Sequence, residues 1–136
     1  MRQITLTGGN TTMTEARLEK QKKKLVELGV MQQDDTLINF LQANYVEQLI
    51  GKFGQWRQGW AYFTEQRLII ITGLLEDNVV IPYESIRNLE KSNHGLFPMG
   101  ITITYENENG KSVTAKISIS KRNKWIEFLQ EKSHLN

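Results

Sequence analysis

A chain of 136 residues with 39% hydrophobic and 24% charged side chains, two prolines and twelve aromatics (three Trp, four Tyr, five Phe) has the make-up of one folded domain that buries its own core. The formal net charge of +2 excludes a global field strong enough to draw the chain onto nucleic acid or an anionic membrane, so an electrostatic partner must be met by a local patch. The lack of cysteine excludes disulfides, thiolate metal sites and cysteine nucleophiles, and accords with a reducing compartment.

The apolar run Leu68 to Ile71 is far short of the roughly 20 residues of a spanning helix, and the N-terminal stretch has no apolar region of a signal peptide. A cytoplasmic location is the default expectation. Residues 1–11, rich in Gly, Thr and Asn, read as a flexible arm. A helix over residues 12–33 follows: Thr12 and Glu15 have the spacing of a capping box, and Gly29 stands where a left-handed C-terminal cap belongs. Its apolar stripe is thin, Leu18, Leu25 and Leu28, which predicts docking on the domain or self-association with a neighbour. Arg17, Lys20, Lys22, Lys23 and Lys24 make the densest basic run. A solvated helix face is its preferred reading, with Glu19 and Lys23 at ion-pair spacing.

From Leu37 to Phe53 the apolar positions fit a helix as well as a strand, and periodicity alone leaves both open. Gly51, Gly54 and Gly59 mark bends. The stretch Gly59 to Ile71 reads as a hairpin, two β-branched and aromatic arms around the polar insert Thr64 to Arg67. Residues 73–78 supply turn chemistry, Val79 to Ile81 is a short strand stopped by Pro82, and Tyr83 to Ile86 has room for one helical turn. Residues 86–90 alternate weakly as a strand. In His94 to Gly100, a loop in this reading, Leu96, Phe97 and Met99 either tuck over one end of the fold or face a lipid surface or a protein. General burial rates favour tucking.

The last hairpin lets alternation decide register. Ile101, Ile103 and Tyr105 share one face, as do Val113, Ala115, Ile117 and Ile119, and only a three-residue loop, Glu108 to Gly110 with Gly110 left-handed, aligns the two sets. It pairs Tyr105 with Val113 and Ile103 with Ala115. Ser120 is expected to cap a final helix carrying Trp125, Ile126, Phe128 and Leu129 into the core. Lys121, Arg122 and Lys124 open that helix, where its dipole disfavours cations by a few tenths of a kcal/mol. With Lys111 and Lys116 they form the candidate anion or lipid site.

The pieces Ala43 to Tyr45, Gly59 to Ile69, Val80 to Ile86, Pro98 to Ile103 and Lys121 to Ile126, in this order, resemble a GRAM domain of the bacterial kind, a branch of the pleckstrin-homology-like superfold. The resemblance covers roughly residues 35 to 132 and leaves the first helix outside the family pattern. It implies a mostly β (α+β) fold: a bent antiparallel barrel or sandwich of about seven strands, closed by a C-terminal helix and preceded by the extra N-terminal one. It also favours the strand for Leu37 to Tyr45, and it divides the chain into an arm (1–11), a helix (12–33) and the domain proper (34–136). Gly59, Thr64, Arg67 and Trp125 then stand as structural residues, Thr64 and Arg67 by satisfying groups at the hairpin bend, with Arg67 as a phosphate ligand the functional alternative.

Neither His94 nor His134 has a neighbour at metal-ligand spacing, Ser85 and Ser92 lack an elbow motif, and Gly51-x-x-Gly54 lacks the rest of a phosphate loop. Trp56, Trp60, Tyr62 and Arg57 interleave without an RNA-binding signature. The sequence therefore predicts no enzyme, metal, cofactor or nucleic-acid partner. It predicts a binding module for a protein partner or itself, with weak peripheral docking on an anionic phospholipid membrane as the alternative.

Overall fold

The computed structural model describes residues 14–49, 52–73 and 77–135. The arm at 1–11, Thr12, Gly51 and the turn residues 74–76 lie outside the described residues. In chain order the elements are α1 (Glu15–Glu27), β1 (Leu37–Leu49), β2 (Lys52–Phe53), β3 (Arg57–Thr64), β4 (Arg67–Thr72), β5 (Asp77–Pro82), a 3-10 turn (Tyr83–Ser85), β6 (Ile86–His94), β7 (Phe97–Glu106), β8 (Ser112–Ile119) and α2 (Arg122–Ser133). Seven strands form one antiparallel sheet in the order β5-β4-β3-β1-β8-β7-β6, and two-residue β2 pairs with the end of β1. β1, 13 residues long, joins β3 on one side to β8 on the other, and this makes the sheet a bent barrel.

Alternation along the strands gives the sheet two apolar faces. Ala43, Tyr45, Ala61, Phe63, Leu68, Ile70, Ile101, Ile103, Ala115, Ile117 and Ile119 point inward, and Trp125, Ile126 and Leu129 of α2 plug that interior. Trp125 stacks on Phe63 with ring centroids 4.0 Å apart, and Phe128 meets both rings edge-on. On the outer face Phe40, Tyr62, Ile69 and Ile71 form a second core beneath Leu25 of α1, with Val30 and Met31 beside it. From Leu68 to Ile71 β4 is apolar because both of its faces are covered.

The β7–β8 hairpin adopts the register read from alternation, Tyr105 opposite Val113 and Ile103 opposite Ala115. Gly110 is left-handed (φ 78°), and the Asn107 N–H donates to the Lys111 carbonyl around a three-residue loop. Gly59 lets β3 and β4 approach, since a Cβ there would lie 2.1 Å from the Ile71 carbonyl oxygen.

Three local readings need correction. α1 is capped by Thr14, whose Oγ1 accepts from the Arg17 N–H at 3.2 Å, so the helix starts about two residues later than a Thr12 capping box implies. Ser120 does not cap α2; Lys121 holds that position in a left-handed conformation (φ 57°) without a side-chain cap. Leu25, only 1% exposed, is spent on the domain's own outer core, so Leu18, Leu25 and Leu28 are not a free stripe for a second copy.

Candidate functional site

The residues quoted as structural at the β3–β4 bend form a closed network. Thr64, fully buried, donates its hydroxyl to Asp35 Oδ2 at 2.7 Å and accepts from the N–H groups of Gln66 (3.1 Å) and Arg67 (2.9 Å). Asp35 Oδ1 accepts from the Thr36 N–H, and Arg67 Nε lies 3.7 Å from Asp35 Oδ2. The Lys22 ammonium donates to the Asp35 carbonyl, and the Tyr83 hydroxyl donates to the Thr64 carbonyl, each at 2.7 Å. The buried carboxylate thus ties the turn before β1 to the hairpin, with Arg67 facing it as a brace, while the backbone carbonyls of Asp35 and Thr64 bring in α1 and the 3-10 turn. Burial pushes the Tyr83 phenol well above its ordinary range, with the Asp35 and Glu65 charges acting in the same direction. The Tyr45 phenol is raised likewise by burial, then by Tyr105 and Glu47.

The basic residues do not gather on one rim. Lys111 precedes β8 and Lys121 follows it, and eight residues of strand separate them by about 26 Å. Lys116 sits over the Phe53 ring at 4.4 Å, and Lys124 over the Trp125 ring at 4.8 Å. Arg122 explains why a cation opens α2: its Nη1 donates to the Ser92 carbonyl at 2.9 Å and anchors the helix start to β6.

The segment expected as a tucked loop is the tip of the β6–β7 hairpin, with His94 opposite Phe97 and a left-handed Gly95 between them. Leu96 is 95% exposed and Phe97 63% exposed, while Met99 is half-buried, so the tip projects rather than covers. Its base is held by the Trp56 ring against the His94 imidazole (4.3 Å) and by the 2.9 Å contact of His94 Nδ1 with Ser118 Oγ. Exposed Lys91 and Lys121 stand near this base, Lys121 next to the Arg122 anchor on Ser92.

Beside the tip, on the outer face, a groove of about 270 Å³ is lined by Gln42, Asn44, Gln58, Met99, Ser118 and Ser120, with backbone from Ala43, Gly59 and Ile119. Among these side chains sequence reasoning singled out Met99 as a contact residue and Ser120 only as a helix cap. A larger groove of about 610 Å³ runs between β5 and the β7–β8 hairpin, past Arg67, Tyr105 and Glu108. A third, about 290 Å³ and mainly apolar, lies between Leu25 and Leu28 at the end of α1 and Tyr62 and Ile71 of the sheet. Among the described residues no group of three or more His, Asp and Glu is placed to hold a metal ion, and no helix is long and apolar enough to cross a membrane.

A family model for the GRAM domain matches residues 19–134. The chain belongs to the GRAM domain family. The match begins inside α1, so part of the helix placed outside the family pattern by sequence lies within it. Among solved structures this GRAM domain is similar to a DUF1696-family protein with a pleckstrin-homology domain from Shewanella loihica (18% identity over 85% of this chain and 92% of that one, TM-score 0.52). It is also similar to the hSac2 domain from human phosphoinositide phosphatase Sac2 (10% identity, 90% and 85% covered, TM-score 0.56). The C-terminal domain of an unknown protein from Leishmania infantum is a further likeness (16% identity, 85% and 96% covered, TM-score 0.56). At these identities the likeness is one of fold, and that fold is pleckstrin-homology-like. No curated protein matches the sequence.

Proposed function

We propose that this GRAM domain is a non-catalytic docking module that places the β6–β7 tip on an anionic lipid surface. The observation that carries this reading is the tip itself: Leu96 and Phe97 exposed at the end of a braced hairpin, with Lys91 and Lys121 exposed around its base. Fully buried, side chains of this size contribute about 1.5–3 kcal/mol each. Each Lys near an anionic leaflet adds about 1 kcal/mol. The sum, about 5–8 kcal/mol before the cost of association, corresponds to dissociation constants from a few hundred micromolar to about one micromolar, so the contact is reversible.

Co-sedimentation with phosphatidylcholine vesicles, with and without phosphatidylserine, at low and high salt tests this. Binding should require phosphatidylserine, weaken with salt over a Debye length of about 10 Å at 0.1 M, and be lost in the Leu96→Ser/Phe97→Ser variant at unchanged melting temperature. Equal sedimentation with neutral and anionic vesicles, or an unaffected variant, rejects it.

A protein partner, a second copy included, is the second reading. The apolar cleft at the end of α1 favours it, where Leu28 and nearby Trp60 are each 40% exposed. Light scattering that gives a monomer's mass at all accessible concentrations removes self-association from this reading.

A further inference from the structure

β1 changes character on its outer face. Phe40 and Val46 are buried there, but the two outward positions between them are Gln42 and Asn44. Register extends this change across three strands: Ser118, Asn44 and Gln58 stand in one cross-strand row, and Gln42 pairs with Trp60 in the next. Directly paired residues on one face have Cβ atoms about 5 Å apart, so these side chains form one patch, the wall of the 270 Å³ groove.

Three properties define what the groove accepts. It has no charged side chain in its lining, so a phosphate, carboxylate or ammonium group would lose water there without a counter-charge. The carboxamides of Gln42, Asn44 and Gln58 and the hydroxyl of Ser120 bond to no described residue. By contrast Asn39, Asn88 and Asn107 are all engaged within the chain. A carboxamide presents donor and acceptor together, the combination that matches neighbouring hydroxyls of a ring. Trp60, half exposed and set against Phe40 at 5.9 Å, offers a fixed aromatic surface next to Gln42 for the C–H face of such a ring. The volume, at the low end for ligand pockets, suits a single ring. Ser118, buried and held by His94, fixes the opposite wall.

We propose that this groove binds an uncharged, hydroxyl-rich ring, a monosaccharide unit, either free or as the headgroup of a glycolipid. The site does not depend on tip docking, because a dissolved sugar needs no membrane.

The test uses the full chain, ¹⁵N-labelled, titrated with methyl glucoside, methyl galactoside and methyl mannoside to tens of millimolar, with inorganic phosphate as a charged probe. The expected result is a saturable shift for at least one glycoside. It should centre on the side-chain amides of Gln42, Asn44 and Gln58 and the Trp60 indole. Phosphate should leave these signals unmoved. Trp60→Ala and Asn44→Ala should each weaken binding roughly five- to tenfold, the scale of one lost neutral contact, and an unchanged melting curve of Asn44→Ala excludes misfolding as the cause. Phosphatidylcholine vesicles carrying a neutral monoglycosyl lipid separate the two sources: retention over plain vesicles identifies a headgroup, and shifts without retention identify a dissolved ligand. No saturable glycoside shift together with no glycolipid-dependent retention overturns the proposal, as does phosphate moving the same signals.

Discussion

Replacing Thr64 with Val removes one oxygen and keeps the β-branched shape that a strand end accepts. The lost atom serves three partners: it donates to the buried Asp35 carboxylate at 2.7 Å and accepts from the Gln66 and Arg67 N–H groups. A hydrogen bond to a charged group contributes about 1.5–3 kcal/mol and neutral ones about 0.5–1.5 each, against a small gain from the added methyl. The expected cost is about 3 kcal/mol, a fall in melting temperature of roughly 10 °C for a domain of this length. Urea denaturation followed by tryptophan fluorescence measures it, and a cycle with Asp35→Ala isolates the pair. The two substitutions should be non-additive by at least about 1 kcal/mol, because each removes the same bond. A loss below about 1 kcal/mol for Thr64→Val, or strict additivity in the cycle, would show that the network does not hold the hairpin to the turn before β1.

The other perturbations act elsewhere in the fold. Gly59→Ala should cost about 2–4 kcal/mol by urea titration, because its Cβ meets backbone of β4, 2.1 Å from the Ile71 oxygen and 2.9 Å from Thr72 Cα, rather than a flexible side chain. Stability should fall as pH rises above about 10: the folded chain keeps the Tyr45 and Tyr83 protons that the unfolded chain releases there, so the tyrosine contribution is whole below that pH and lost above it. Tyr45→Phe/Tyr83→Phe should flatten that alkaline limb in pH-dependent melting. A chain beginning at Asp34 should expose Phe40, Tyr62, Ile69 and Ile71, bind a hydrophobic dye and melt at least about 10 °C lower, whereas an unchanged melting curve would show that α1 is an appendage.

The sheet was legible where burial on one face forces period-two alternation. Ile101, Ile103 and Tyr105 share a face with Val113, Ala115 and Ile117 across a three-residue loop and not across a two-residue one, and the left-handed Gly110 fits the three-residue loop. The α1 stripe was read as thin, docking on the domain or on a neighbour, because Leu25 counts as one apolar residue in a helix but joins a buried cluster with side chains from three strands, which no local window contains. Ser120 carries the usual chemistry of a cap, yet the chain turns through a left-handed Lys121, and nothing in a lysine announces that conformation. The basic set failed as a cluster for a geometric reason: residues on either side of β8 are neighbours in composition and a strand length apart in space. The projecting tip was the less favoured of two readings because burial rates are averages over positions, while a tight hairpin end with a left-handed Gly95 gives Leu96 nothing to pack on. The groove left little trace, since Gln42, Asn44 and Gln58 become a patch only once β1 and β3 are paired.

β1 shows how the domain separates stability from recognition. Its inward residues Ala43 and Tyr45 are buried in the barrel, so substitution there is felt by the whole interior. Its outward residues pass from Phe40, beneath α1, through Gln42 and Asn44, whose carboxamides bond to no described residue, to Val46, which is buried again. Apolar residues at 42 and 44 would extend the outer core toward β8 and leave an exposed apolar strip beyond the reach of α1. Polar ones keep that strip in water at little cost to folding. The hairpin end places Leu96 past the last paired residues of β6 and β7 and Phe97 in the last pair, opposite His94, where the barrel gains little from either side chain. Both candidate surfaces therefore sit where the fold makes no demand on the side chain. Substitutions at Asn44 and Phe97 should change binding without changing stability, while those at Thr64 or Gly59 should do the reverse.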